Sequence, residues 1–296
     1  MNDTIVMTAS SINLFSDYLI RQERSIRTVA QYRQSLQNLC CFLCSDRILD
    51  HAALLKWKQK IIETRAVSTA NCMIAAVNTY LNFMGAANLK LRALKVQRKV
   101  FSEYELTEQE FHALVSQARR SGDEQTAVLL TAMSGSGVRV SEVQFLTVEA
   151  AQQRMATISL KGKTRHIPLG EKVCAALLRF AERQRIISGP IFLGKQGKPL
   201  DRRRIWERMK KLCAGAGVDP KKVHPHALRH LFARAFYNLT QDIAKLADLL
   251  GHSSIETTRI YVMTSIREHR TILDRLAENL NAKKPPQRSG KLLFRT

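Results

Sequence analysis

Apolar residues recur at helical spacing along almost the whole of this chain, and a single stretch alternates instead. That contrast restricts the fold to a mainly α-helical architecture with one small β-hairpin. Ile12, Phe15, Leu19 and Ile20 mark a first helix. Val29, Tyr32, Leu36, Leu39 and Leu43 mark a second, and Leu54, Leu55, Ile61 and Ile62 a third. A fourth runs from Ser68 through Ile74, Val77, Tyr80, Leu81 and Met84 to Gly85. Ser25 and Ser68 are the expected N-caps of the second and fourth, because a serine oxygen accepts from unpaired first-turn N–H groups. Arg24, Arg27 and Arg33 decorate one end of this four-helix bundle, as an anion-binding or simply solvated face.

Residues 89–100 hold five cations and no anion, and no helical stripe continues through them, so a basic linker is expected to about Tyr104. Thr107 followed by Glu110 has the spacing of a capping box and opens a second helical domain. An apolar helix covers Val128 to Ser134, and Gly135, Ser136 and Gly137 are expected to break it just before Arg139. Met155–Leu160 alternates as a strand, Lys161-Gly162-Lys163 turns, and Thr164–Leu169 returns. Helices follow over about 171–187, 201–214, 226–239, 241–250 and 254–280, then a tail with Pro285-Pro286. The expected domains are therefore 1–88, a linker 89–104, a second domain 105–282 and a tail 283–296, which suits a length of 296 residues.

The charge narrows the partner. Lys and Arg number 47 against 25 Asp and Glu, a formal net charge of +22. Such a surplus costs self-repulsion and attracts polyanions, and nucleic acid gains further because bound phosphates release counterions. No run is long and apolar enough to span a bilayer, and the N-terminus lacks a basic-then-apolar leader, so a soluble cytoplasmic location is expected. Cys41 and Cys44 have metal-ligand spacing, but no second pair follows and the stretch is helical, so buried thiols are expected there.

Three islands carry the chemistry. They are Gly137-Val138-Arg139-Val140-Ser141-Glu142, His226-Ala227-Leu228-Arg229-His230, and Leu250-Gly251-His252 with Tyr261 nine residues beyond the histidine. Charge grows on the non-bridging oxygens during transfer at a phosphodiester, and aimed donors lower that barrier. Arginine suits the task, being planar, always charged and bidentate to phosphate. Arg139 and Arg229 are the candidates. His226 lies three residues before Arg229 on one helix face and can exchange a proton with a hydroxyl. His224 precedes Pro225 and falls outside the helix; His230 points elsewhere and packs or caps. His252 follows a C-cap glycine and can donate from a turn. Glu142, one turn from Arg139, orients the cations. Tyrosine is a poor nucleophile until cations favour its phenolate. Carboxylates such as Glu142, Asp201, Asp248 and Glu256 stand singly, and no phosphate-cradling glycine loop occurs, so neither a metal nor a nucleotide cofactor is expected.

These islands resemble the catalytic boxes of the tyrosine recombinases, the family of phage integrases and Xer-type recombinases. The segment Lys161 to Leu169 is similar to the family's lysine hairpin, with a turn one residue shorter. Residues 25–32 and 67–84 resemble its N-terminal signature stretches, so the likeness covers nearly the whole chain. It implies a four-helix, SAM-like core-binding DNA-clamp domain followed by a mostly helical catalytic domain. It implies catalytic Arg139, Lys161, His226, Arg229 and His252, a nucleophilic Tyr261 and a supporting Glu142. Lys163 competes with Lys161 as the general acid that protonates the departing 5′-oxygen. The implied reaction is site-specific recombination, as in a mobile-element integrase, through a 3′-phosphotyrosyl intermediate and a Holliday junction, with integration, excision, inversion or dimer resolution as the outcome and no cofactor. The implied assembly is a homotetramer, or a heterotetramer with a paralogue, on two double-stranded DNA sites with short inverted repeats. About ten residues precede the first helix, so an arm-binding domain is expected to be absent. The tail residues Leu292, Leu293 and Phe294 are expected to bury in a neighbouring protomer, or else to act as an electrostatic tether. A non-catalytic helix-turn-helix regulator over 241–262 is the alternative function; a type IB topoisomerase shares the chemistry but lacks the N-terminal signature.

Overall fold

Helical periodicity and capping chemistry account for most elements of the computed structural model, which describes residues 4–43, 47–95, 105–160, 162–194, 196–251, 254–262 and 273–278. The chain divides into two compact units, Met1–Arg98 and Lys99–Thr296.

In the first unit β1 (Ile5–Val6) leads into α1 (Ala9–Arg21) and α2 (Ile26–Phe42). The return strand β2 (Ile48–Leu49) pairs antiparallel with β1, and α3 (His51–Thr64) and α4 (Val67–Phe83) complete the bundle. Thr8, Ser25 and Asp50 each accept a first-turn N–H at the N-caps of α1, α2 and α3. Ser68 does not cap α4: Ala66 holds that position without a side-chain bond, and the serine falls inside the first turn, past the place from which it could cap. The apolar doublets resolve cleanly. Leu19, Leu54 and Ile61 are buried, whereas Ile20, Leu55 and Ile62 are exposed. Adjacent residues lie about 100° apart around a helix, so only one of each pair can face the core. Trp57, Phe15 and Tyr80 fill the centre, with the Tyr80 hydroxyl 2.7 Å from Ser11 Oγ.

The expected basic linker begins as part of this unit. Leu89 and Leu91 are buried in its core. Asn78 donates to the Leu91 carbonyl at 2.8 Å and accepts its N–H at 2.9 Å. Asn71 treats Leu94 the same way, at 3.0 and 2.8 Å. Two asparagines on α4 thus stand in for a strand partner and pin residues 91–94 along the helix. Residues 96–104 lie outside the described residues. Cys41, expected buried, is exposed, because α2 turns Leu36 and Leu39 inward and the next turn carries Cys41 past that stripe; Cys44 lies outside the described residues.

The second unit opens at α5 (Glu108–Arg120), whose Thr107 and Glu110 form the reciprocal capping box. The following α6 (Glu124–Ser136) buries Ala127, Leu129, Leu130, Ala132 and Met133 on several faces, which places it at the centre of the core. Gly135 and Ser136 do not break this helix, which ends only at Gly137, in the left-handed region with φ 65°. Gly135 serves close packing instead: a Cβ there would stand 2.6 Å from Val173 Cγ2. A 3-10 turn (Val140–Phe145) and α7 (Val148–Gln152) lead to the hairpin of β3 (Met155–Leu160) and β4 (Lys163–Pro168), with Leu160 opposite Lys163. Then come α8 (Glu171–Arg183), α9 (Arg202–Ala216), α10 (Pro225–Thr240), α11 (Ile243–Leu250) and α12 (Ile255–Val262). α8 stops four residues short of the expected 187, and Arg185 takes φ 55° just past its end. Of the long helix expected over 254–280, residues 255–262 and 273–278 are described as helical.

Candidate active site

Gly251 ends α11 in the left-handed region, leaving the last carbonyls of that helix without helical donors. The cluster is built on one of them. Arg229 reaches the Leu250 carbonyl through Nη2 at 2.6 Å, Arg165 through Nη1 at 2.5 Å, and Arg139 through Nη2 at 3.3 Å. The negative end of a helix dipole favours cations, so three guanidiniums can share this one point. They arrive from three directions: Arg139 from the turn after α6, Arg165 from β4, and Arg229 from the first turns of α10.

Glu142 balances part of the charge. Its carboxylate accepts the Arg139 backbone N–H at 2.7 Å and Arg139 Nη1 at 2.9 Å. It also accepts Arg165 Nη2 at 2.6 Å. Burial pushes this carboxyl upward, but the Arg139 bonds and the two guanidinium charges outweigh that and hold it below the ordinary glutamate range. Three arginines against one carboxylate leave the cluster electropositive. Arg229 is buried, at 1% exposure, and also donates to the Gly137 carbonyl at 2.5 Å. Arg139 keeps 39% of its side chain exposed, so this end of the cluster opens to an incoming anion.

Gly137 is essential to that geometry. It combines φ 65° with a position where a Cβ would stand 2.5 Å from Phe232 Cδ1. The left-handed backbone alone costs an L-residue about 1–2 kcal/mol, and the ring contact adds to it. Gly137→Ala is therefore expected to lower the melting temperature by several degrees, measurable by calorimetry. An unchanged melting temperature would mean that the turn relaxes freely.

The histidines divide into roles. His224 caps α10, its Nδ1 accepting the Ala227 N–H at 3.0 Å. His226 is exposed at the start of α10, yet desolvation, then Arg229, His224 and Arg139, pull its pKa below the usual histidine value. A neutral imidazole beside two guanidiniums can accept a proton. His230 stacks edge-on against it, with ring centroids 4.8 Å apart. Burial, followed by the neighbouring His226 and Arg234, lowers His230 from 6.5 to about 4. Between those values the unfolded chain binds a proton that the folded ring refuses, so this group takes stability away as pH falls through the window. His230→Gln is expected to flatten the decline of melting temperature between pH 7 and 5. An equally steep decline in the variant would assign the acid sensitivity to other groups.

Sequence reasoning singled out Arg139, Glu142, His226 and Arg229, and these come together. Lys161 and His252 lie outside the described residues, as do the side chains of Lys163 and Tyr261. The backbone at position 261 belongs to α12, which packs against α10 and α11 and buries Thr258 fully. Arg165 was missed. Its signal was present: alternation along β4 puts it on the same face as Ile167, opposite Ile158, both buried. A cation on a core face requires an anionic or carbonyl partner.

Solved structures share the arrangement of these elements. The lambda integrase dimer bound to a COC′ core site matches at TM-score 0.71 and 16% identity, over 88% of this chain and 78% of that one. The Tn1549 transposon integrase in complex with transposon right end DNA matches at TM-score 0.66 and 18% identity, over 90% and 99%. The fold is thus that of the DNA integrases and recombinases. Residues 105–267 match the phage integrase family. The tyrosine recombinase XerD of Vibrio cholerae serotype O1 is 27% identical over 79% of this chain and 84% of its own length. XerD of Xanthomonas campestris pv. campestris is 36% identical over 156 residues, and there the match spans about half of each chain, 48%. The chain belongs to the phage integrase family. No described helix is long and apolar enough to cross a membrane.

Proposed function

We propose that this protein cuts and rejoins double-stranded DNA at short inverted-repeat sites, with Tyr261 as the nucleophile. The observation that carries the proposal is the convergence of Arg139 and Arg229 on the Leu250 carbonyl, beside the helix that carries position 261. Such a preorganised cluster of donors lowers the barrier to phosphoryl transfer without reorganising during the reaction. Arg139 and Arg229 bind the non-bridging oxygens of the scissile phosphate, with His252 as a further donor. His226 takes the proton of the Tyr261 hydroxyl. A bond forms from the tyrosine oxygen to phosphorus, the bond to the 5′-oxygen breaks, and Lys161 or Lys163 protonates that oxygen. The products are a 3′-phosphotyrosyl link and a free 5′-hydroxyl. The partner strand's 5′-hydroxyl reverses the step, so bond energy is conserved and no cofactor is consumed. Two such exchanges pass through a Holliday junction, which calls for four protomers on two sites, either identical or shared with a paralogue. Residues 1–88 form a core-binding DNA-clamp domain, 89–104 the basic linker, and 105–282 the catalytic domain. The tail at 283–296 lies outside the described residues. DNA as the partner is supported by the solved XerH recombinase bound to difH substrate and by the Tn1549 integrase complexes.

The alternative, a helix-turn-helix regulator, has the layout α11, Gly251, α12 in its favour. One experiment separates the two. Duplexes from the DNA flanking the coding sequence, nicked so that cleavage releases a short strand, are incubated with the protein in EDTA without nucleotide. A denaturation-resistant protein–DNA adduct is expected. Binding without an adduct would favour the regulator, and strict dependence of cleavage on Mg²⁺ would contradict the mechanism.

A further inference from the structure

The β3–β4 sheet has only two strands, and an isolated hairpin is marginally stable in water. Ala156, Ile158 and Ile167 pack one face of this hairpin into the core, and its lysine-bearing end needs a further tie if a lysine is to act at a fixed point. Arg165 meets that need. It lies two residues after Lys163 and four after Lys161. Its guanidinium makes a two-sided bridge, Nη2 to Glu142 Oε2 at 2.6 Å and Nη1 to the Leu250 carbonyl at 2.5 Å. Only 20% of the side chain is exposed. The far side of the bridge is shaped to receive it: a Cβ at Gly251 would stand 2.5 Å from Arg165 Nη1 and 2.8 Å from its Cδ. Glycine at the α11 cap therefore does two things, since it takes the left-handed backbone and leaves room for this guanidinium. Glu142 and Leu250 O are also the acceptors of Arg139, so the bridge refers the hairpin to the same two points that hold Arg139.

We propose that Arg165 is a positioning residue for leaving-group protonation, tying the lysine-bearing hairpin to the Glu142–Leu250 anchor so that the lysine meets the departing 5′-oxygen. This rests on the reading of Lys161 or Lys163 as general acid. A misplaced acid slows only the step that needs a proton, whereas a damaged fold or phosphate clamp slows every substrate.

The test uses full-length Arg165→Lys and Arg165→Gln with two substrates. One is the ordinary nicked duplex; in the other, sulfur replaces the bridging 5′-oxygen at the scissile phosphate. A thiol has a pKa near 8.5, far below that of an alcohol, so its thiolate departs without a proton. On the ordinary duplex both variants are expected to cleave about 10²-fold more slowly than wild type, the low end of what general acid catalysis contributes. On the sulfur duplex they should match wild type to within a few-fold. Arg165→Lys keeps the positive charge but cannot span both acceptors, so it guards against a variant that simply fails to fold. Equal slowing on both duplexes would overturn the proposal. Lys161→Ala and Lys163→Ala are run alongside. If neither is rescued by sulfur, the general-acid reading falls. If one is rescued and the Arg165 variants are not, the general acid stands and the role of Arg165 falls.

Discussion

Tyr261→Phe is expected to abolish the covalent protein–DNA adduct while leaving DNA affinity and melting temperature close to wild type. The substitution removes one oxygen and keeps the ring, so helix packing has little to lose. The chemistry loses everything, because phenylalanine offers no atom that can bond to phosphorus. The effect should be large for a second reason. A free tyrosine, with pKa near 10, is a weak nucleophile at neutral pH. Its activation would come from the electropositive cluster at the end of α11, against which the helix carrying position 261 packs. The measurement is trapping on the nicked duplex followed by denaturing electrophoresis. An adduct of undiminished yield from Tyr261→Phe would sink the assignment and send the search to another nucleophile.

Arg139→Ala and Arg229→Ala are each expected to slow cleavage by about 10²–10³, equivalent to ~3–4 kcal/mol of lost transition-state stabilisation. Their side effects should differ, and that difference is the more discriminating result. Arg139 is 39% exposed on its side chain, and Arg165 remains on Glu142 when it is gone, so stability should change little. Arg229 is buried and supplies donors to the carbonyls of Gly137 and Leu250. Its removal leaves a cavity and takes this donor from the Gly137 carbonyl, a loss worth about 1–3 kcal/mol, while the Leu250 carbonyl keeps Arg165 and Arg139. A clear fall in melting temperature is therefore expected for Arg229→Ala alone. Single-turnover cleavage, equilibrium binding and thermal unfolding on the same preparations check both statements. Parallel losses in binding and cleavage would reduce either arginine to a plain DNA contact.

The sequence by itself determined the helical class, the hairpin and the local signals that lie inside short motifs. Period-3.6 stripes, the Thr107–Glu110 capping box and the glycines at 137 and 251 are local signals, governed by interactions within a few residues. His226 and Arg229 were legible for the same reason, being one turn apart. What local chemistry could not decide was which of two neighbouring apolar residues faces inward, whether Gly135 ends a helix or admits Val173, and whether residues 89–94 cross open space or pack on α4. Those depend on neighbours distant in sequence. Arg165 is the clearest case. Alternation placed a cation on an inward face, but its meaning required Glu142, 23 residues earlier, and Leu250, 85 residues later, to meet it. A guanidinium at a core face costs energy until a carboxylate and a helix-end carbonyl are both within reach, and only the tertiary structure brings them there.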